Sequence, residues 1–240
     1  MKELSQADID AIQAIKWGHR IPVGMFNGEV YYTPGELIHG PDGVDYATER
    51  FGLPLDLTDK TVLDIGAWDG YFSFEAERRG ASLVVASDAA VIKPPTSGEL
   101  EYANWGGHKG FPLARQLLDS NVQWMEASVY DIDRSLRKSH YLGFDVVLFY
   151  GVLYHLVEPF RALQKVRTVT APGGVALIET AFSTQEGSLM ELRNGFNGDA
   201  SNWWYPTIEC LQRMLEHVGF ARTEIIYRLH EMRVTVAAYA

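Results

Sequence analysis

The run Thr61-Val-Leu-Asp-Ile-Gly-Ala-Trp-Asp-Gly-Tyr-Phe72 holds the residue types and spacing that point most directly to chemistry in this chain. It predicts a short buried strand, a glycine turn from Gly66 to Gly70 and then a helix, with Asp88 closing a second strand about twenty residues on. Such a layout makes a nucleoside-binding crevice at the end of a parallel sheet. A dinucleotide loop reads G-x-G-x-x-G, which brings backbone N–H groups against a pyrophosphate. Here Ala67, Trp68 and Asp69 fill the middle of the loop, and a carboxylate beside a diphosphate repels it. NAD and nucleotide-sugar chemistry are disfavoured on that ground. A cofactor with ribose and no phosphate fits better. S-adenosylmethionine is the common one, which makes methyl transfer the expected reaction and S-adenosylhomocysteine its product.

Each residue of the crevice has an expected task. Gly66 and Gly70 let the backbone turn sharply beside the methionine portion of the cofactor. Asp64 is placed to meet the cofactor ammonium, or else to brace the start of the helix. Trp68 stands where glycine is frequent, which predicts a position without positive φ, its ring packing over the cofactor or plugging the loop. Asp88 is expected to accept the ribose hydroxyls, and Ser128 and Val129 to lie beside the adenine. The fourth strand ends in Phe149-Tyr-Gly-Val-Leu-Tyr-His-Leu156, the segment expected to flank the transferable methyl, with Tyr150 on the cofactor side. Tyr154 and His155 are the candidate catalytic residues, because an imidazole of pKa ~6.5 can deprotonate an acceptor hydroxyl at neutral pH. The alternative for His155 is to brace the next loop. Asn202 and Trp204 are the candidate acceptor contacts, and the Trp203-Trp204-Tyr205 aromatics either clamp a flat acceptor or plug the core. His108, His140 and His155 are isolated in the sequence, so no metal site is expected.

These residues need elements to position them. Ser5 to Trp17 reads as an amphipathic helix with Ser5 and Asp8 at its cap, and Met25 to Tyr32 as a hairpin about Asn27-Gly28. A short helix is expected to run through about Phe51. Residues 1–58 are then an N-terminal cap over the ligand edge, and 59–240 the cofactor-binding domain. From Lys60 onward strands and helices alternate: strands near 62–65, 83–86, 122–125, 144–149 and 174–179, helices near 72–79, 114–118, 159–168 and 207–218. Alternation of this kind means a parallel sheet covered on both faces. Residues 224–228 and 233–239 close the chain as an antiparallel pair. Two insertions, 93–110 and 182–205, fall where lids and substrate walls usually lie.

With 240 residues, 47% hydrophobic and 22% charged, the composition is that of an ordinary globular α/β domain. A net charge of −10 disfavours nucleic acid as partner, and the densest basic stretch, Arg134 to Lys138, reads as a solvated helix face. The lone cysteine, Cys210, suits a reducing cytoplasm and is expected on a late helix as inert packing. Neither a secretory signal nor a membrane span is expected.

Val62-Leu-Asp-Ile-Gly66 with Asp88, Gly151-Val-Leu-Tyr-His155, Ile178-Glu-Thr180, and Tyr205-Pro206 before a helix ending at Gly219-Phe220 together resemble a known family. It is that of the bacterial tRNA wobble-uridine (carboxy)methoxy-forming methyltransferases and their broader relatives. The likeness runs from about residue 60 to the C-terminus. It implies the Rossmann-like sheet of class I methyltransferases, seven strands with the last antiparallel and helices on both faces. In that family a tyrosine before the histidine and an arginine opening the last strand hold the extra carboxylate of carboxy-S-adenosylmethionine. They fall on Tyr154 and Arg233 here. Residues 33–50 lack the tryptophan- and lysine-rich stretch of the tRNA enzymes. The reading is therefore ordinary S-adenosylmethionine and a small-molecule acceptor, O-methylation favoured. Arg233 then holds an acidic acceptor or pairs with Glu231. The alternatives are a tRNA acceptor and a non-catalytic cofactor-binding protein.

Overall fold

The computed structural model describes residues 1–35, 45–89, 107–193, 195, 201–230 and 232–240. Ser5 opens helix α1 (Gln6–Gln13) through a capping box: its hydroxyl accepts the Asp8 N–H at 3.2 Å, and the Asp8 carboxylate accepts the Ser5 N–H at 2.8 Å. The helix ends four residues short of Trp17 (13 against 17), whose indole N–H donates instead to the Ile12 carbonyl. Strands β1 (Pro22–Phe26) and β2 (Glu29–Tyr32) form the hairpin, with Asn27 and Gly28 both at positive φ in its turn. Helix α2 (Tyr46–Glu49) follows, with the Asp45 carboxylate at its cap.

The alternating part runs β3 (Thr61–Ile65), α3 (Tyr71–Arg78), β4 (Leu83–Asp88), α4 (Gly107–Leu118), β5 (Gln123–Glu126), α5 (Ile132–Lys138) and β6 (Phe144–Tyr150). A 3₁₀ turn (Leu153–His155), α6 (Pro159–Val169) and β7 (Thr170–Ala181) come next. The short strands β8 (Met190–Leu192) and β9 (Trp204–Pro206), helix α7 (Ile208–His217), β10 (Arg222–Leu229) and β11 (Arg233–Tyr239) complete the chain. One sheet takes the order β10-β11-β7-β6-β3-β4-β5. Only β11 runs against its neighbours within that sheet. This is the seven-stranded Rossmann-like arrangement the sequence predicted. Chain order reverses at β3, between β4 and β6, and in such sheets the crevice beyond the strand ends at that point is where ligands bind.

Successive side chains of a strand point to opposite faces, and the two cores follow that rule. Leu63, Ile65, Val147, Phe149 and Ile178 pack with α5, α6 and α7 on one face. Val62, Val146, Leu148 and Tyr150 pack on the other with α3, α4 and the N-terminal segment. Asp64, two residues on from Val62, therefore points into the face shared with the N-terminal segment. Each large apolar side chain so buried contributes about 1.5–3 kcal/mol.

Two expectations shift. Helix α4 starts at Gly107, inside the stretch read as loop, and residues 93–106 of that loop lie outside the described residues. The 182–205 insertion is not simply a loop, because Met190–Leu192 pairs with Trp204–Pro206. Among the described residues no helix is long and apolar enough to cross a membrane.

Arg79 ties the N-terminal segment to the sheet. Its side chain is 2% exposed. It donates to both Asp45 carboxylate oxygens at 2.9 and 3.0 Å, to Glu75 at 2.9 Å, to the Thr48 hydroxyl at 2.7 Å and to the Leu53 carbonyl at 2.9 Å. Removing one partner of a buried charge network leaves the others unpaired. Arg79→Met is therefore expected to cost about 3–5 kcal/mol. Urea unfolding checks this, and a loss below about 1 kcal/mol, the scale of an exposed pair, contradicts it.

Candidate active site

The glycine turn is shaped by contacts on three sides. Gly66 sits at φ +81°, and a Cβ there would come within 2.3 Å of the Val152 methyl, so the turn after β3 lies directly against the turn after β6. Its N–H and that of Ala67 both donate to the Ser87 carbonyl on β4, at 2.7 and 3.1 Å. Gly70, at φ +88°, opens α3. Trp68 departs from expectation: its φ is +51°, so this tryptophan occupies the left-handed region that a glycine would enter freely.

Asp64 is 3% exposed and accepts the Ser73 hydroxyl at 2.6 Å. Burial pushes its carboxyl up to about 7; the Ser73 hydrogen bond opposes this, and the negative charge of Asp88 adds to it. Asp88, half-buried at the end of β4, accepts the Trp68 N–H at 2.9 Å and the Ala89 N–H at 2.7 Å. Its carbonyl takes the Ala127 N–H at 3.0 Å, which sets Ser128 and Val129 beside it. The Ser128 hydroxyl accepts the Tyr130 N–H at 3.3 Å, and Val129 is buried.

From sequence, the Asp69 carboxylate stands in the middle of the loop, where it would repel a diphosphate. Instead the side chain is buried and turned to the N-terminal segment, accepting the Gly18 and His19 N–H groups at 3.0 and 2.8 Å and meeting the His19 ring Nδ1 at 2.5 Å. Burial works to raise this carboxyl, but the His19 charge and these hydrogen bonds outweigh it and leave it below the ordinary value.

Beyond β6, the Tyr150 hydroxyl donates to the Phe51 carbonyl at 2.9 Å, and its ring packs on Phe51 and Phe72. In this structure Tyr150 thus pins the N-terminal segment to the sheet. Tyr154 and His155 lie with ring centroids 4.2 Å apart. His155 Nδ1 is 3.1 Å from the Ser201 carbonyl and 2.9 Å from its hydroxyl. A proton on Nδ1 donated to that carbonyl leaves Nε2 as the basic nitrogen. The Trp203 N–H donates to the Tyr154 carbonyl at 2.9 Å, so residues 201–206 run alongside the turn, bringing Asn202 and Trp204 with them. The aromatics divide: Tyr205 is buried against Tyr154 and Ala181, whereas Trp204 is half-buried in β9.

Arg233 pairs with Glu179 at 3.4 Å, and its guanidinium lies 4.6 Å from the Tyr154 ring centroid. Burial works to lower its pKa, but Glu179 and Tyr154 raise it further. Arg50 approaches the same Glu179 oxygen at 3.8 Å, and its buried Nε has no hydrogen-bond partner among the described residues. Glu231, the partner considered from sequence, lies outside the described residues.

Sequence reasoning missed His19, Arg50 and any role for Glu179. For Glu179 a signal existed, a carboxylate at the end of an otherwise apolar buried strand. His19 and Arg50 gave none, since they reach the site only through the tertiary packing of the N-terminal segment. Cys210 lies half-buried on α7, and burial raises its thiol. Among the described residues no cluster could hold a metal ion.

Over residues 42–225, more than half its length, the chain matches the family described as a methyltransferase domain, and it belongs to that family. Family and sheet together are those of class I enzymes, whose methyl donor is S-adenosylmethionine. The chain is 25% identical over 184 residues to a tRNA U34 carboxymethyltransferase of Azotobacter vinelandii, a match that covers 76% of this chain and 52% of that protein. It thus spans about half the length of the curated relatives it matches. Among solved structures, the N-terminal domain of EvdMO1 in the presence of SAH and D-fucose gives a TM-score of 0.66 at 18% identity, covering 98% of this chain and 96% of that one. A 1,6-didemethyltoxoflavin-N1-methyltransferase of Burkholderia thailandensis gives 0.52 at 17% identity, covering 76% and 71%. At these identities the structures speak to the fold. The EvdMO1 likeness extends over nearly the whole chain, N-terminal segment included.

Proposed function

We propose that the chain transfers a methyl group from S-adenosylmethionine to an oxygen of a small acceptor that carries an acidic group. One juxtaposition supports this reading above the rest: the Tyr154–His155 turn lies against the Arg50–Glu179–Arg233 cluster, beside the glycine turn. Two guanidinium groups against one carboxylate leave net positive charge in a partly buried place, which suits an anionic group on the acceptor.

The residues present fit the cofactor. Asp64 offers a buried carboxylate for an ammonium, Asp88 an acceptor pair for ribose hydroxyls, and Gly66 and Gly70 a close backbone approach. When bound, the cofactor supplies an activated sulfonium methyl and leaves as S-adenosylhomocysteine. The protein's own part is alignment, proton removal and exclusion of water. His155 Nε2 takes the proton of the acceptor hydroxyl, with Ser201 holding the imidazole in the required tautomer. Residues 1–58 act as a cap, and from it Arg50 joins Arg233 in holding the acceptor's acidic group.

A second reading, carboxymethylation of a tRNA wobble uridine, is favoured by the Tyr154–Arg233 pair and by the names of the relatives. The net charge of −10 weighs against it. Labelled methyl transfer to a panel of hydroxy acids, with tRNA run in parallel at low and high salt, separates the two. Arg233→Ala is expected to raise the acceptor KM at least about tenfold, the scale of a lost charged hydrogen bond, with cofactor Kd nearly unchanged. A larger loss in cofactor affinity than in acceptor KM favours the second reading, as does salt-sensitive modification of tRNA.

A further inference from the structure

We propose that His19 is a positioning residue for the cofactor loop, acting through Asp69, so that the N-terminal segment is a working part of the cofactor site. The proposal rests on the S-adenosyl reading above and adds to it a residue about fifty positions upstream of the loop.

The geometry forms a continuous series. Asp69 gathers three donors from two consecutive residues, the N–H groups of Gly18 and His19 and the His19 ring. His19 is itself held from behind: its carbonyl accepts the Thr33 hydroxyl at 2.6 Å, and that hydroxyl accepts the Ile21 N–H at 2.8 Å. The His19 ring stacks on Tyr71 with centroids 5.4 Å apart and meets Trp68 edge-on at 5.4 Å. Gly18 lies under the Trp68 ring, where a Cβ would come within 2.2 Å of it. Trp68 keeps its left-handed backbone between two fixed points, because the next residue, Asp69, is clamped by the N-terminal segment and its own N–H is bonded to the Asp88 carboxylate. Left-handed backbone in a bulky residue persists where the surroundings over-determine it. The series Thr33, His19, Asp69, Trp68, Asp88 therefore ends on the carboxylate that the site offers to ribose.

A role in fold stability alone predicts that loss of His19 lowers the melting temperature and leaves the folded protein's affinity intact. A positioning role predicts a specific loss. His19→Ala is expected to raise the calorimetric Kd for S-adenosylhomocysteine about tenfold, as for one charge-assisted hydrogen bond, and to raise the KM for S-adenosylmethionine with little change in kcat or acceptor KM. His19→Asn, whose side-chain amide can donate to Asp69, is expected to recover most of the affinity. Amide hydrogen exchange at residues 66–70 of the unliganded protein is expected to be faster in His19→Ala and close to wild type in His19→Asn. If His19→Ala does not fold, the isosteric Asp69→Asn takes its place, with an intermediate loss of affinity and intermediate exchange expected.

Wild-type affinity together with wild-type exchange in a folded His19→Ala, or in Asp69→Asn where the alanine variant does not fold, overturns the proposal. Wild-type protein that binds no S-adenosylhomocysteine overturns the cofactor reading instead. The exchange measurement needs no ligand and still decides whether His19 orders the loop.

Discussion

Asp64→Asn is expected to unfold at higher urea concentration than wild type at pH 8, and to bind S-adenosylmethionine about 10–100-fold more weakly. Both effects come from one buried carboxyl. Its pKa is raised to about 7 in the folded protein, against an ordinary 3.8. The native state keeps this proton up to about pH 7, whereas the unfolded chain releases it near pH 4. Stability therefore falls as pH rises from about 4 to about 7 and stays low above that. A difference of about three pKa units corresponds to about 4 kcal/mol. Asparagine carries no such penalty, and its side-chain oxygen can still accept the Ser73 hydroxyl that Asp64 holds at 2.6 Å. The gain should be near zero at pH 4 and largest at pH 8, measured by urea unfolding across that range. The affinity loss follows because a neutral amide gives an ammonium no charge to meet. A variant destabilised equally at every pH contradicts the account of Asp64, as does one that binds the cofactor normally.

The second large effect concerns His155. His155→Ala is expected to lower kcat about 10²–10⁴-fold, the usual contribution of a positioned base, while cofactor Kd stays within about twofold. The two quantities separate because the His155 ring is held at Ser201 and lies beside Tyr154, the segment read as flanking the acceptor. A residue that merely braced residues 201–206 would disturb acceptor and cofactor sites together. Equal losses in turnover and cofactor affinity would therefore assign His155 to bracing. Single-turnover methyl transfer at saturating cofactor gives the first number and calorimetry the second.

How far the sequence foretold this molecule depended on how local each feature was. The strand–turn–helix at 61–78, Asp88 at the end of β4 and the closing antiparallel pair were legible because periodicity and turn residues encode them within a few positions. The capping box at Ser5 was legible for the same reason. Trp68 was misread because a positive φ in a tryptophan has no local cause; it depends on Asp69 being held by Gly18 and His19. The direction of the Asp69 side chain was hidden likewise, its partners lying fifty residues upstream. Arg233 was singled out as a charge to hold an acidic acceptor or to pair with Glu231; the partner it meets is Glu179 on the neighbouring strand, set by the β7–β11 register that pairs Arg233 with Ala181. The strands β8 and β9 are only three residues each, too short for an alternating pattern to register.

The central claim is tested most directly by calorimetric titration of the protein with S-adenosylmethionine, carboxy-S-adenosylmethionine and NAD. The account predicts one S-adenosylmethionine bound per chain, tighter than the carboxylated form, with binding lost in Asp88→Ala and no heat from NAD. Preference for the carboxylated cofactor would move the acceptor to tRNA and give Arg233 its carboxylate. Binding of NAD alone, or full S-adenosylmethionine affinity in Asp88→Ala, would contradict the site described here.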